Sequence, residues 1–264
     1  MVSRRDIVKT GLGLAGILTT GKAPAFVKSI LAATNTSFGT KAIPSAREYI
    51  QDGLVGLWDG IENASFGVHD QTATVWTDLI SGVNAEPSAN NYWHVTNNAY
   101  VIEKPVLKPA FIIPDTFGDK YLNSQDYSIE CVIRPTQNMP GSRFFGNRAN
   151  GKGTLLSCGT NNNNILLYTA YYGRDVNTSY TMKVGEFYAI TVTSAANMTS
   201  LYVNDIIVGS ASWTYNPNGG RWGIGGTFDL PATAGNYHCF RVYNRPLTAD
   251  EVYQNHELDS TRFL

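Results

Sequence analysis

The chain has 264 residues, of which 43% are hydrophobic, 12% aromatic and only 16% charged, and its formal net charge is -1. A chain this apolar and this weakly charged buries a core, which excludes disorder and a coiled coil, and near-neutrality leaves no electrostatic footprint for nucleic acid. By length it is one large domain or two small ones, and a β-sandwich commonly reaches roughly 200–250 residues as a single unit.

The charge is uneven along the chain. Residues 1–33 carry Arg4, Arg5, Lys9, Lys22 and Lys28 against Asp6 alone, so this segment is +4 and the remainder -5. The run Ser3-Arg4-Arg5-Asp6-Ile7-Val8-Lys9 resembles the twin-arginine export signal: an arginine pair, a free position, two apolar residues, then lysine. The apolar stretch 11–21 that follows is too short to span a bilayer, which needs about 20 residues, and Ala23-Pro24-Ala25 offers a small-x-small cleavage site. The segment has two readings. As an export signal carried by Arg4 and Arg5 it places the protein outside the cell or on its surface; as a retained basic arm it serves assembly, as in a virion component. Residues 34–48, with Ser, Thr, Gly and Pro44, read as a linker, and the folded domain is expected over 49–264.

From Tyr49 onward the hydrophobic period is two. Runs at 129–133, 165–168, 187–192, 201–208, 222–224 and 237–243 are rich in β-branched and aromatic residues, and Gly, Asn or Pro closes nearly every one. Many short strands at close spacing predict an all-β, two-sheet antiparallel sandwich. In 201–208 apolar residues flank the two-residue turn Asn204-Asp205, a hairpin. In Arg241-Val242-Tyr243, Val242 points opposite its neighbours, so one face is expected in the core and the other in water. Arg245, before Pro246 near the end of that strand, is placed to salt-bridge or hydrogen-bond across the sheet edge, a structural role. A short C-terminal helix is expected after Pro246-Leu247, where Thr248 caps and Glu251 stands three residues on.

The order of these strands resembles the laminin-G-like jelly rolls of the concanavalin A-like lectin and glucanase superfamily. The residues that carry it are Tyr127 to Pro135, Gly185 to Val192, Leu201 to Asp205, Ile224-Gly225-Gly226 and, most specific, Gly235 through Val252. Asp205 departs from the pattern, since a glycine normally follows that asparagine. The opening 52–60 and the closing 258–263 resemble single-domain members from bacterial and phage genomes, often beside tail or surface genes. The resemblance covers residues 49–264 and implies the jelly roll; function is argued from sites, not folds.

Enzymes of this superfamily set carboxylates at alternating positions of one strand, about 5 Å apart for a retaining mechanism. No such run exists here, and the eight glutamates fall singly. Glu130 is the one inside a confident strand; its convergence with Asp119 and Asp126 is weighed against solvated edge charges, the reading adopted. No catalytic residue is assigned. The histidines, His69, His94, His238 and His256, are dispersed, and His238 reads as a packed or edge residue. Three cysteines, Cys131, Cys158 and Cys239, are an odd number with no zinc spacing, so they read as free, packed thiols. Structural calcium is a family trait; Asp70, Asp175 and Asp229 are loop-placed candidates without site spacing, so no metal or cofactor is assigned.

Aromatic residues carry the binding argument. Fifteen Tyr, eleven Phe and five Trp exceed what one sandwich core needs. Tyr92 and Trp93, Tyr171 and Tyr172, and Trp213 and Tyr215 lie in runs with Asn, Gly or Thr that combine a flat ring with polar partners, the mixture a sugar ring requires. The alternative is that these rings pack the ends of the sandwich or an interface. The expectation is therefore a non-catalytic recognition module of a surface or virion protein whose partner is a polysaccharide or surface glycan, with protein partners in an assembly as the alternative and glycoside hydrolysis as a third.

Overall fold

The computed structural model describes residues 42–88, 93–104, 108–147, 149, 153–159, 164–171, 174–212 and 220–264. In chain order its strands are β1 (Leu54–Asp59), β2 (Glu86–Pro87), β3 (Trp93–Thr96), β4 (Ala99–Ile102), β5 (Phe111–Ile113), β6 (Tyr127–Pro135), β7 (Arg143–Gly146), β8 (Leu155–Cys158), β9 (Ile165–Tyr171), β10 (Arg174–Thr181), β11 (Tyr188–Ala195), β12 (Met198–Val203), β13 (Ile206–Ala211), β14 (Trp222–Ile224) and β15 (Gly235–Tyr243). Helix α1 (Asp115–Tyr121) and helix α2 (Ala249–Phe263) interrupt and close the series. An eight-stranded sheet runs β13-β12-β11-β6-β15-β4-β3, with β1 also on β15, and a seven-stranded sheet runs β10-β9-β8-β7-β14-β5-β2; every named pairing is antiparallel. This is the expected two-sheet sandwich. No helix among the described residues is long and apolar enough to cross a membrane.

Alternation decides which residues fill the space between the sheets. Ile129, Cys131 and Ile133 of β6, Ile190 and Val192 of β11 and Phe240 and Val242 of β15 meet Phe111, Phe145, Leu156, Leu166, Tyr168, Trp222 and Ile224 from the other sheet. The hairpin at Asn204 forms as the sequence predicts: Val203 pairs with Ile206, and Asn204 takes the positive φ of 58° that a tight turn requires. Cys131, Cys158 and Cys239 are all free and buried.

The second face of the eight-stranded sheet departs from expectation. Alternation shows that Arg241 and Tyr243 point away from Val242, but that side is not wet: both are at most 1% exposed. Helix α2 covers it with Val252, Asn255, Asp259, Arg262 and Phe263, and a second apolar cluster, including Leu57, Val132, Ala189 and Tyr243, packs there. Thr248 caps α2, accepting from the Glu251 N–H at 3.3 Å, while Glu251 Oε2 accepts from the Thr248 N–H at 2.9 Å. Arg245 forks onto the same glutamate at 2.9 and 2.6 Å and reaches the Asp52 carboxylate at 2.8 Å. Its role is structural, as its position predicts.

Glu130 is likewise no solvated edge charge. It lies on the central strand β6, 2% exposed, and accepts from Arg241 Nε at 2.6 Å, Asn255 Nδ2 at 2.9 Å and the Thr191 hydroxyl at 3.0 Å. Residues 44–48, which composition assigns to the linker, are also packed into the unit that runs from Pro44 to Leu264. Ser45 caps a 3-10 turn over Ala46–Glu48, the Ala46 N–H donates to Glu62 at 3.0 Å, and Arg262 donates to the Pro44 carbonyl. Helix α1 was not foreseen: it is seven residues long and begins after Pro114 without a side-chain cap.

Candidate functional site

Strands β10 and β13 are each an edge strand of their sheet, and the two edges meet on the same side of the sandwich. Gly209 brings them together, because a Cβ there would meet Asn177 O at 3.0 Å and Thr178 Cγ2 and Val176 Cγ1 at 3.1 Å. Next to this pinch, Ser179, Tyr180 and Thr181 of β10, Lys183 and Glu186 of the following turn, and Ile207 and Val208 of β13 line an open cleft of about 570 Å³. Thr178 sets the start of it by donating its hydroxyl to Leu166 O at 2.7 Å and accepting the Tyr180 N–H at 3.1 Å.

Lys183 and Glu186 of the cleft are tied to one another and to Tyr188. Gly185, at φ 83°, turns the chain sharply and anchors it by donating to Pro135 O at 2.8 Å. The buried Tyr188 hydroxyl accepts the Lys183 N–H at 2.7 Å and donates to Glu186 Oε2 at 3.0 Å, while Lys183 Nζ donates to Glu186 Oε1 at 3.1 Å. These hydrogen bonds from Lys183 and Tyr188 hold the Glu186 carboxyl below the usual carboxylate range. Burial lifts the Tyr180 phenol and takes Tyr188 up to about 12, so both stay protonated donors. The rings of Tyr180 and Tyr188 meet edge to face at 6.2 Å. Ile207 is 54% exposed and contributes open apolar surface.

Trp93, expected among loop aromatics, opens β3 instead. Its ring stacks on Tyr100 at 5.7 Å and meets Phe111 edge-on at 4.9 Å, which makes it half-buried and part of the core's margin. With Ala73, Thr74 and Pro87 it lines a smaller recess of about 340 Å³, and its indole nitrogen is buried without a hydrogen-bond partner among the described residues. Tyr171 is the last residue of β9. Tyr92, Tyr172, Trp213 and Tyr215 lie outside the described residues, as do Arg4 and Arg5. The Tyr180 cleft escaped sequence reasoning because its ring sits in a strand and its walls are distant in sequence. The available signal was the polar run Asn177-Thr178-Ser179-Tyr180-Thr181 followed by Lys183 and Glu186.

Two buried carboxylates of the α2 face are engaged in ion pairs. Asp259 takes both Nη atoms of Arg241 at 2.7 Å and the Tyr49 hydroxyl at 2.7 Å; Asp59 takes Arg262 at 2.7 Å. Burial raises the Glu130 and Asp59 carboxyls against the pull of Arg241 and Arg262. Asp119 and Asp126 are exposed whereas Glu130 is buried, and Asp119 accepts the Gly220 N–H at 2.7 Å. Asp70 closes its own turn onto Thr72, Asp175 accepts from Thr169 at 2.6 Å and Asp229 from Thr227 at 3.1 Å. Among the described residues no group of three or more His, Cys, Asp or Glu could hold a metal ion. His238 is packed, its Nδ1 2.9 Å from Asn98 O.

A family model described as the concanavalin A-like lectin/glucanases superfamily matches residues 115–253. No curated protein matches the sequence. Among solved structures, Trypanosoma rangeli sialidase superposes with a TM-score of 0.60 at 17% identity over 79% of this chain and 33% of its own, so the chain spans about a third of the sialidase. Domain 4 of AbnA, a GH43 extracellular arabinanase from Geobacillus stearothermophilus, in complex with arabinotriose, gives 0.57 at 15% identity over 78% of this chain and 97% of that domain. The binding domain of Botulinum Neurotoxin DC in complex with SialylT gives 0.56 at 13% identity, with 81% and 52% covered. At these identities the likenesses establish the fold alone.

Proposed function

This chain belongs to the concanavalin A-like lectin/glucanases superfamily, and on that premise we propose that it is a non-catalytic glycan-recognition module. The observation that carries the reading is the β10–β13 cleft, where an aromatic ring and an exposed aliphatic side chain stand beside a fixed lysine, a fixed carboxylate and two hydroxyl side chains. A sugar offers an apolar ring face and a rim of hydroxyls, and such a cleft answers both. Structural neighbours solved with ligands include the arabinanase domain with arabinotriose and the neurotoxin binding domain with SialylT, which favours the same direction.

The non-catalytic part rests on charge. Two-carboxylate hydrolysis needs a second acid group facing the first. Among the described residues the cleft holds one carboxylate, Glu186, and its lowered pKa suits an acceptor, not a general acid. The module is read as acting outside the cytoplasm, delivered by residues 1–33 as an export signal or held by them in a surface or virion assembly. Passing the purified chain over a panel of immobilised polysaccharides tests the recognition reading. Retention on at least one, reversed by the free sugar and without release of reducing ends, is expected; no retention, or hydrolysis, overturns it.

A further inference from the structure

Resting on that reading, we propose that the β10–β13 cleft selects neutral oligosaccharides over anionic ones: Tyr180 and Ile207 meet the apolar face of a sugar ring, and the Lys183–Glu186 pair divides its hydroxyls between donor and acceptor. The argument is one of charge parity. Among the described residues Lys183 is the one cation lining the cleft and Glu186 the one anion, and they are paired at 3.1 Å. A uronate or sialate carboxylate is held most strongly by an uncommitted cation, best a guanidinium fork. Here the cation is compensated, and the carboxylate beside it repels an anionic ligand.

The pair is also anchored more firmly than an ordinary surface pair. Lys183 and Glu186 side chains are 72% and 50% exposed, where ion pairs usually contribute little. Tyr188, 2% exposed, ties both ends: it donates to Glu186 Oε2 and accepts the Lys183 N–H. Each carboxylate oxygen keeps a free lone pair after these bonds, and the ammonium keeps two N–H donors. Those are the contacts a hydroxyl pair on one sugar ring can use, since each hydroxyl both donates and accepts. Because Glu186 is held below the usual carboxylate range, it stays an acceptor in mildly acidic solution.

The test titrates the full chain with arabinotriose and cellotriose as neutral probes and 3′-sialyllactose and trigalacturonate as anionic ones, at low and high salt. Neutral probes should bind about tenfold or more tightly than anionic probes, with no salt dependence. Glu186→Gln, which frees the Lys183 charge, should narrow that gap, and Ile207→Ser should weaken neutral binding by about threefold to tenfold without touching the fold, since Ile207 is half in solvent. Tighter binding of either anionic probe, a steep salt dependence, or neutral binding indifferent to both substitutions overturns the assignment. Failure to bind all four overturns it too, while retention on the wider polysaccharide panel would still uphold glycan recognition at another surface.

Discussion

Arg241 and Asp259 meet as a two-pronged ion pair, Nη1 to Oδ1 and Nη2 to Oδ2 both at 2.7 Å, with neither side chain more than 1% exposed. The arginine belongs to β15 at the middle of a sheet and the aspartate to helix α2, so the pair fastens the helix to the sheet that backs the sandwich. Glu130 engages the same guanidinium through Nε at 2.6 Å, and the Tyr49 ring lies 4.1 Å beneath it. A buried charge pair adds little net stability over an apolar substitute, but breaking one half of it leaves the other uncompensated.

Asp259→Ala should therefore destabilise the chain by about 3–5 kcal/mol. Denaturant unfolding of the variant and parent measures it. A loss under about 1 kcal/mol would mean that water reaches Arg241 once its partner is gone.

His238 gives the fold a defined acid response. Burial takes its pKa down to about 4, and its Nε2 has no hydrogen-bond partner among the described residues, so the folded state holds the neutral ring. The unfolded chain titrates near 6.5. A group depressed on folding contributes stability that is full above its unfolded pKa and is lost as pH falls from about 6.5 to about 4, here about 3 kcal/mol in all. Asp59, Asp78 and Glu130, whose carboxyls are raised by burial, act in the opposite sense, so the comparison is with a variant. Between pH 6.5 and 4 the stability of His238→Gln should fall less than that of the parent; parallel curves would show that His238 is protonated in the folded state.

Trp93 behaves as core margin in this account. Trp93→Ala removes contacts with Tyr100 and Phe111 and should cost about 2 kcal/mol or more, whereas Ile207→Ser at an exposed site should stay within about 0.5 kcal/mol. Thermal melts of both variants decide it. Equal melting temperatures would return Trp93 to the class of free surface rings.

What the sequence made legible was local. The apolar alternation of 129–133, the turn at Asn204 and the Thr248-Glu251 cap each depend on neighbours a few residues apart, and each formed as read. What it hid was distant or covered. Alternation says that Arg241 and Val242 face opposite sides, but not that α2 will lie over the polar side; Arg241 and Glu130 are 111 residues apart and nothing local pairs them. The same holds for the cleft, whose Tyr180 and Ile207 become neighbours through the meeting of two sheet edges at Gly209. Aromatic rings beside Asn and Gly drew attention to loops, and Tyr180, in a strand, carried no such flag.

The basic segment can be tested without structure. If Arg4 and Arg5 form a twin-arginine signal, replacing both with lysine keeps the charge and should leave the protein in the cytoplasm. Fractionation of cells that export the parent measures it, and unchanged export of the double variant would favour a retained assembly arm.

The most direct test of glycan recognition at the β10–β13 edge is to follow backbone amide resonances of the full chain while titrating in a retained oligosaccharide. The account predicts the largest shifts at residues 179–186 and 206–208, saturating together with a single binding constant. Shifts concentrated instead around Trp93 and Pro87, or at the ends of β9 and β14, with residues 179–186 unmoved, would contradict it.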